Sequence, residues 1–200
     1  TVAVDGTKAC GWTHAAEWTF TQDGRVAVVN NAVPHGPMPE LPRLGLSMRV
    51  ASDLNIAEWY GRGPRENYVD RWTGSFLGRW SCAVDELAEP YVRPQDNGYK
   101  SDVRWVEFTD AAGNGVRFAG DVPMFVQALH YSWEDLEFAR HRNGQTRLNA
   151  IREPREEVCL NLDLRQLGLG GASCGPKPMD KYIFPIQEET WSITLAPVTK

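Results

Sequence analysis

Two hundred residues, 42% of them hydrophobic, are enough chain for a buried core and for about one ordinary domain. The 26 acidic against 21 basic side chains leave a formal charge of -5, which argues against a nucleic-acid partner because phosphate contacts need a clustered positive surface. No run approaches the roughly 18 apolar residues of a membrane span, and Thr1–Cys10 lacks a charged segment followed by an apolar one, so neither a membrane nor a signal peptide is expected.

Along the chain, apolar residues recur with period two in short runs bounded by Gly, Pro, Asn and Asp, the pattern of an all-β antiparallel sandwich. Strands are expected at Ala15–Thr21, Arg25–Asn30, Leu44–Val50, Ile56–Tyr60, Ser75–Ser81, Val103–Thr109, Gly115–Ala119, Met124–Leu129, Glu157–Leu164, Lys181–Phe184 and Thr190–Ala196. Gln22-Asp23-Gly24 and Ala112-Gly113-Asn114-Gly115 supply the positive φ of tight hairpins. One short connector helix is expected at Ser132–His141, where Ser132 and Asp135 form a capping-box-like pair and Trp133, Leu136 and Ala139 share a face. Asn143–Glu156 is polar without a period and reads as a surface loop.

Generic chemical signatures mostly fail. Gly61-Arg62-Gly63-Pro64 begins like a phosphate loop, yet Pro64 has no N–H to offer and no Gly-Lys-Ser follows, so a turn is the better reading. Gly170-Gly171-Ala172-Ser173-Cys174-Gly175 carries nucleophile types without the spacing of a nucleophile elbow. Cys10, Cys82, Cys159 and Cys174 are far apart and the four histidines are scattered, so no metal site is expected, and the cysteines read as reduced thiols in a cytoplasmic setting. His130 follows an apolar strand and precedes the helix cap, a place from which an imidazole can face a cleft. Glu66 and Asp70 have the residue types of a glycosidase pair, but Arg62, Arg65 and Arg71 surround them, so a buried salt-bridge network is expected instead. Arginine outnumbers lysine 16 to 5, and eight tryptophans are available for guanidinium groups to stack on.

Five ordered blocks then carry a resemblance. Trp59-Tyr60-Gly61-Arg62-Gly63-Pro64-Arg65-Glu66-Asn67-Tyr68-Val69-Asp70-Arg71 resembles the W-x-G-x-G-P-x-E-N-Y-x-D-R segment in the C-terminal domain of family 2 β-galactosidases. Pro90-Tyr91-Val92-Arg93-Pro94-Gln95-Asp96-Asn97-Gly98 resembles P-Y-x-x-P-x-E-N-G of the same domain. Asp102-Val103-Arg104-Trp105, Leu129-His130-Tyr131, and Leu160-Asn161-Leu162-Asp163 before Gly168-Leu169-Gly170-Gly171 continue in order.

The resemblance implies a β-supersandwich of the galactose-mutarotase-like kind, with residues 1–200 as the later part of a longer C-terminal domain and with an exposed sheet edge. It implies a retaining enzyme acting on β-galactosides, whose catalytic glutamates and magnesium belong to an upstream (β/α)-barrel, so that this chain alone is inactive and holds no cofactor. The barrel and the β-galactoside are then the expected partners, with a homo-oligomer left open. The chain's own contribution is a pocket-rim loop, expected at Gly170, Gly171, Ser173 and Cys174, with His130 as a further candidate contact. In the family this loop reads G-G-D-x-S-W-x-P; here Cys174 falls where the tryptophan stands. Trp59, Gly63, Pro64, Glu66, Asn67, Tyr68, Asp70, Arg71, Asn97 and Gly98 are expected to be structural, with Asn97-Gly98 forming a turn at the same end of the sandwich as the rim loop. The alternative is a stand-alone carbohydrate-binding or mutarotase-like module, with His130 and either Glu66 or Asp96 as its acid and base.

Overall fold

The computed structural model describes residues 10–91, 95–141, 154–171 and 175–199, without the side chains of 138–141. Its strands are β1 (Gly11–Phe20), β2 (Val26–His35), β3 (Arg43–Val50), β4 (Ile56–Gly63), β5 (Phe76–Ala83), β6 (Lys100–Thr109), β7 (Gly115–Leu129), β8 (Val158–Gln166) and β9 (Glu189–Val198), with one α-helix among the described residues, α1 (Trp133–His141). Every strand pairing is antiparallel, as an all-β sandwich built of hairpins requires.

The two expected hairpins form where glycine can take positive φ. Gly24 (φ 80°) closes β1 onto β2 with its N–H on the Thr21 carbonyl at 3.1 Å. Between β6 and β7, Asp110 Oδ1 accepts the amides of Ala112 (2.8 Å) and Asn114 (2.9 Å), and Gly113 stands at φ 87°.

The sheet runs β1-β2-β9-β7-β6-β4-β5, with β8 and then β3 branching from β7. Along β7, Gly115–Gly120 pair with β9, while Phe125–Leu129 pair with β8. Gly115–Ala119 and Met124–Leu129, expected as two strands, are thus one strand. The interruption between them is a change of partner: Pro123, which has no N–H, falls where β7 has left β9 and not yet met β8. The core lies where inward positions of these strands meet: Trp59 from β4, Val106 and Phe108 from β6, Phe118 and Val126 from β7, Leu160 and Leu162 from β8, and Trp191 and Ile193 from β9. Each such side chain contributes about 1.5–3 kcal/mol by leaving water. The strand at the far edge, β1, is exposed over most of its length, with Trp18 and Phe20 among its exposed side chains.

Two local expectations need correction, and one element was not expected. Lys181–Phe184 is not a strand: Asp180–Tyr182 is a 3₁₀ turn, because Pro178 and Pro185 on either side deny this stretch ladder donors. Ser132 and Asp135 do cap α1 reciprocally, Ser132 N–H to Asp135 Oδ2 at 2.9 Å and Asp135 N–H to Ser132 Oγ at 3.3 Å. Yet Trp133 does not share the buried face of Leu136, being 55% exposed against 5%. The 3₁₀ turn Val84–Leu87, which buries both its end residues, was not expected, since four residues are too few to show a period. Among the described residues Cys10, Cys82 and Cys159 are free thiols, and no helix is long and apolar enough to cross a membrane.

Candidate functional site

The segment that leaves β4 at Gly63 turns away from the sheet through a cis Gly63-Pro64 bond and crosses the end of the sandwich as residues 64–75. Gly63 is required by its neighbour, for a Cβ there would stand 2.7 Å from Trp80 Cδ1. Trp59, itself 3% exposed, anchors the departure by donating its indole N–H to the Arg62 carbonyl at 3.0 Å.

Asn67, 1% exposed, is the hub of the crossing. Its Oδ1 accepts the Ser101 amide at 2.8 Å and the Ser101 hydroxyl at 2.5 Å, its N–H donates to the Tyr99 carbonyl at 2.8 Å, and its side-chain amide donates to the Arg65 carbonyl at 3.0 Å. Tyr68 packs beside Tyr99 with ring centroids 5.9 Å apart, and burial pushes its phenol far above the usual range.

Two loops hang on this crossing. At one end Glu66 accepts the Gly98 amide at 2.8 Å, the Tyr68 hydroxyl at 3.3 Å and the Tyr91 hydroxyl. Burial, with that bond second, pushes the Tyr91 phenol up to about 12. Asn97 completes the turn by accepting the Glu89 amide at 3.0 Å, and Gly98 sits at φ 79° with the Leu87 carbonyl where a Cβ would go. At the other end Asp70 Oδ2 accepts the Gly170 amide at 2.8 Å, while Arg71 Nη2 donates to the Gly170 carbonyl at 3.1 Å. One residue's backbone is therefore held on both its polar groups. Gly168 lies against Asp70, and Gly171 donates to the Pro176 carbonyl at 2.9 Å, closing the loop's base. The Asn97-Gly98 turn and the Gly170 turn are thus tied to the same short crossing.

The expected arginine network is not what holds Glu66 and Asp70. Arg62 pairs with Asp102 (2.8 Å) and lies 4.4 Å over the Trp72 ring, Arg65 reaches Glu89 at 3.8 Å, and Arg71 goes to a carbonyl. Among the described residues neither Glu66 nor Asp70 has a cationic partner; hydroxyls and backbone amides fill that role. The reason is placement. Arg62 lies near the end of β4 and faces Asp102 near the start of β6, whereas Glu66 and Asp70 come after the chain has turned off the sheet. Asp70 Oδ1 is buried without a partner among the described residues.

His130 stands at the other end of β8 from the Gly170 turn, since Leu129 pairs with Cys159 while Gly168 follows Gln166. Its Nδ1 lies 2.9 Å from the Arg155 carbonyl and its Nε2 3.7 Å from Asp85 Oδ1; neither Glu66 nor Asp96 is among its partners. Ser173 and Cys174 lie outside the described residues, as do residues 92–94 of the Pro90–Gly98 block. Among the described residues no three His, Cys, Asp or Glu side chains cluster closely enough to hold a metal ion.

Sequence reasoning assigned no site role to Tyr99, Arg43 or Asp163. Tyr99 is fully buried and donates to Asp163 Oδ2 at 2.7 Å, and Arg43 Nη1 meets Asp96 at 3.0 Å and the Tyr99 hydroxyl. The signal was present in Leu160-Asn161-Leu162-Asp163-Leu164: alternating apolar and polar residues put two polar groups on one face of a strand buried on both.

Known proteins resemble the chain over most of its length. The chain is 35% identical over 154 residues to a β-galactosidase of Priestia megaterium, an alignment covering 77% of this chain and 14% of that protein. It is 34% identical over 158 residues to β-galactosidase BgaC of Bifidobacterium adolescentis, covering 78% and 14%, and 32% identical over 154 residues to a β-galactosidase of Vibrio cholerae, covering 74% and 13%. The chain thus spans about a seventh of the length of these curated relatives. The family model of the β-galactosidase small chain matches residues 1–195, and the chain belongs to that family.

Proposed function

We propose that this chain is the C-terminal domain of a retaining β-galactosidase that releases terminal β-D-galactose, and that it shapes the rim of the substrate pocket while an upstream (β/α)-barrel supplies the catalytic glutamates. The observation that carries this reading is the double hold on Gly170. Asp70 and Arg71 grip both backbone polar groups of one residue at the base of a glycine-rich loop, which is how a loop is kept at fixed height beside a ligand. Residues 1–200 are then the later part of a longer domain, in a cytoplasmic enzyme whose assembly into a homo-oligomer is part of the same reading. Magnesium belongs to the upstream domain in this reading.

What this chain contributes chemically is shape. Its best-placed carboxylates, Glu66 and Asp70, are engaged by amides and hydroxyls, which leaves them as fasteners rather than acids. The isolated chain should turn over no nitrophenyl β-galactoside; hydrolysis by pure chain that is abolished by Glu66→Gln would refute the division of labour.

The loop itself is tested at Cys174, which offers no flat apolar face for an aglycone sugar to stack on. An aromatic stacking contact is worth about 1 kcal/mol. In the intact enzyme Cys174→Trp should therefore tighten a lactose-type substrate or a glucose acceptor severalfold and leave a small aryl galactoside nearly untouched. Unchanged or weaker response to glucose would show that Cys174 is not at the platform position. Among the aromatics able to substitute, Tyr182 is the best placed, its Cβ beside Gly168, whereas Trp80 donates to the Gly61 carbonyl at 3.2 Å and Trp72 is under Arg62.

A further inference from the structure

On the face of the sheet where β3 meets β8 lies a cleft of about 360 Å³ whose lining includes Trp12, Arg43, Ser47, Trp133, Asn161 and Asp163. Gly45 faces Asp163 across the β3–β8 ladder, at a register shift, and a Cβ there would stand 2.4 Å from Asp163 Oδ1 and from the Asp163 backbone. The absence of a Cβ lets the Asp163 backbone and carboxylate pack directly against β3 at the cleft.

The floor is a set of polar groups fixed from below. Asp163, 4% exposed, spends Oδ2 on the Tyr99 hydroxyl. Gln127 Nε2 donates to Asp96 Oδ1 at 2.6 Å and to the Asn97 carbonyl at 2.5 Å, and its Oε1 accepts the Asn161 amide at 2.7 Å. Arg43 spends Nη1 on Asp96 and Tyr99. The atoms not spent in these bonds are Asp163 Oδ1 and Asn161 Oδ1 as acceptors, Arg43 Nε and Nη2 as donors, and the exposed Ser47 hydroxyl as either. Apolar side chains, Trp12, Met38, Leu41, Leu44 and Trp133, make up the rest of the lining; Trp133 is 55% exposed, and the Trp12 indole N–H is buried without a partner among the described residues.

We propose that this cleft binds a neutral hexopyranose, with the Trp133 ring against an apolar face of the sugar and vicinal hydroxyls shared among Asp163, Asn161, Arg43 and Ser47. A ligand bearing alternating donors and acceptors matches the mixed floor, and a flat C–H face matches an indole. Charge argues for neutrality, because Arg43 is already paired with Asp96 at 3.0 Å. Burial raises the Asp163 carboxyl to about 7, so it accepts or donates near neutral pH without a full charge to satisfy. The pocket has the size of a small-ligand site.

The proposal concerns binding and does not rest on galactoside hydrolysis, which is assayed separately on the same preparation. The intact protein is labelled with 5-fluorotryptophan, the Trp133 resonance is assigned with Trp133→Phe, and D-galactose, D-glucose and the acyclic alditol mannitol are titrated. The Trp133 signal should shift saturably with a pyranose and not with mannitol. Asn161→Ala and Asp163→Asn should each weaken that midpoint about fivefold or more, as the loss of one hydrogen bond implies. Should Asp163→Asn fail to fold, Ser47→Ala, at an exposed strand position, supplies the second variant and carries the same expectation. A Trp133 signal that stays still, that follows mannitol equally, or that keeps its midpoint in the variants overturns the proposal.

Discussion

Lys100 opens β6 at 5% exposure, its ammonium on the Gly98 carbonyl at 3.1 Å and 5.5 Å from the centre of the Trp59 ring. Among the described residues it has no ion-pair partner, although Glu86, Glu89 and Arg65 line the same cavity, as does Cys82. Burial lowers its proton affinity from 10.5 to about 8, so holding it charged at neutral pH costs about 3 kcal/mol. Lys100→Met removes that cost and fits the apolar surroundings, but it forfeits a hydrogen bond worth about 1 kcal/mol. The variant should therefore be more stable than the parent by about 2 kcal/mol at neutral pH. The sign is opposite to that of a lysine whose folded-state proton affinity is raised by a partner. The unfolded chain holds the proton more tightly, so the parent gains stability as pH climbs from about 8 to 10.5, and the variant's advantage shrinks over that window. The nearby Cys82 thiol, pushed up by burial, titrates in both proteins and largely cancels in the difference. Urea unfolding of both proteins at several pH values measures this directly. A variant less stable than the parent at neutral pH, or an advantage that ignores pH, would refute the buried-charge reasoning.

Asp70→Ala should release the Gly170 amide and loosen the rim loop at a modest stability loss of about 1–2 kcal/mol, since the variant also deletes an oxygen that is buried unpaired; amide hydrogen exchange at Gly170 that is no faster than in the parent would contradict it. Asp135→Ala removes both the helix cap and the Arg155 partner at 2.6 Å, and should cost about 3 kcal/mol in a thermal or urea melt. The Arg155 bond holds the Asp135 carboxyl down to about 2, so this contribution is complete above about 3.8 and is lost as pH falls toward 2; a parent and variant that differ equally across that range would be evidence against it. Gly63→Ala drives a Cβ into Trp80 and should lower the unfolding midpoint by the equivalent of about 1–3 kcal/mol, with unchanged stability counting against the close packing.

Period-two patterning was enough to locate most of the strands, because several of them bury one face and expose the other, and their ends shifted by a few residues. Long-range partner choice was not legible. Nothing local to Gly115–Leu129 says that its two halves serve different neighbours. The site divided in the same way. Asn67, Tyr68 and the Asn97-Gly98 turn were identifiable as a block, yet the arginines beside them were assigned to the wrong carboxylates, since charge proximity along the chain ignores the turn at Gly63-Pro64. Tyr91 and Tyr99 do more for Glu66 and Asp163 than any arginine in the motif, and tyrosine hydroxyls carry no charge pattern to search for.

The order β1-β2-β9-β7 has a consequence for how the chain matures. The β1–β2 hairpin comes before the other described strands and forms from residues close in sequence, but its one lateral partner beyond itself among the described strands is β9, the last of them. Until residues 189–198 emerge, the hairpin has an open flank on β2 and no attachment to the central strands. β9 is thus a late keystone: clipping it by protease, or stalling the ribosome before it, would set loose a two-stranded ribbon bearing Trp18, Phe20 and Val29. A nascent chain in that state is the form in which edge-to-edge aggregation is most easily seeded.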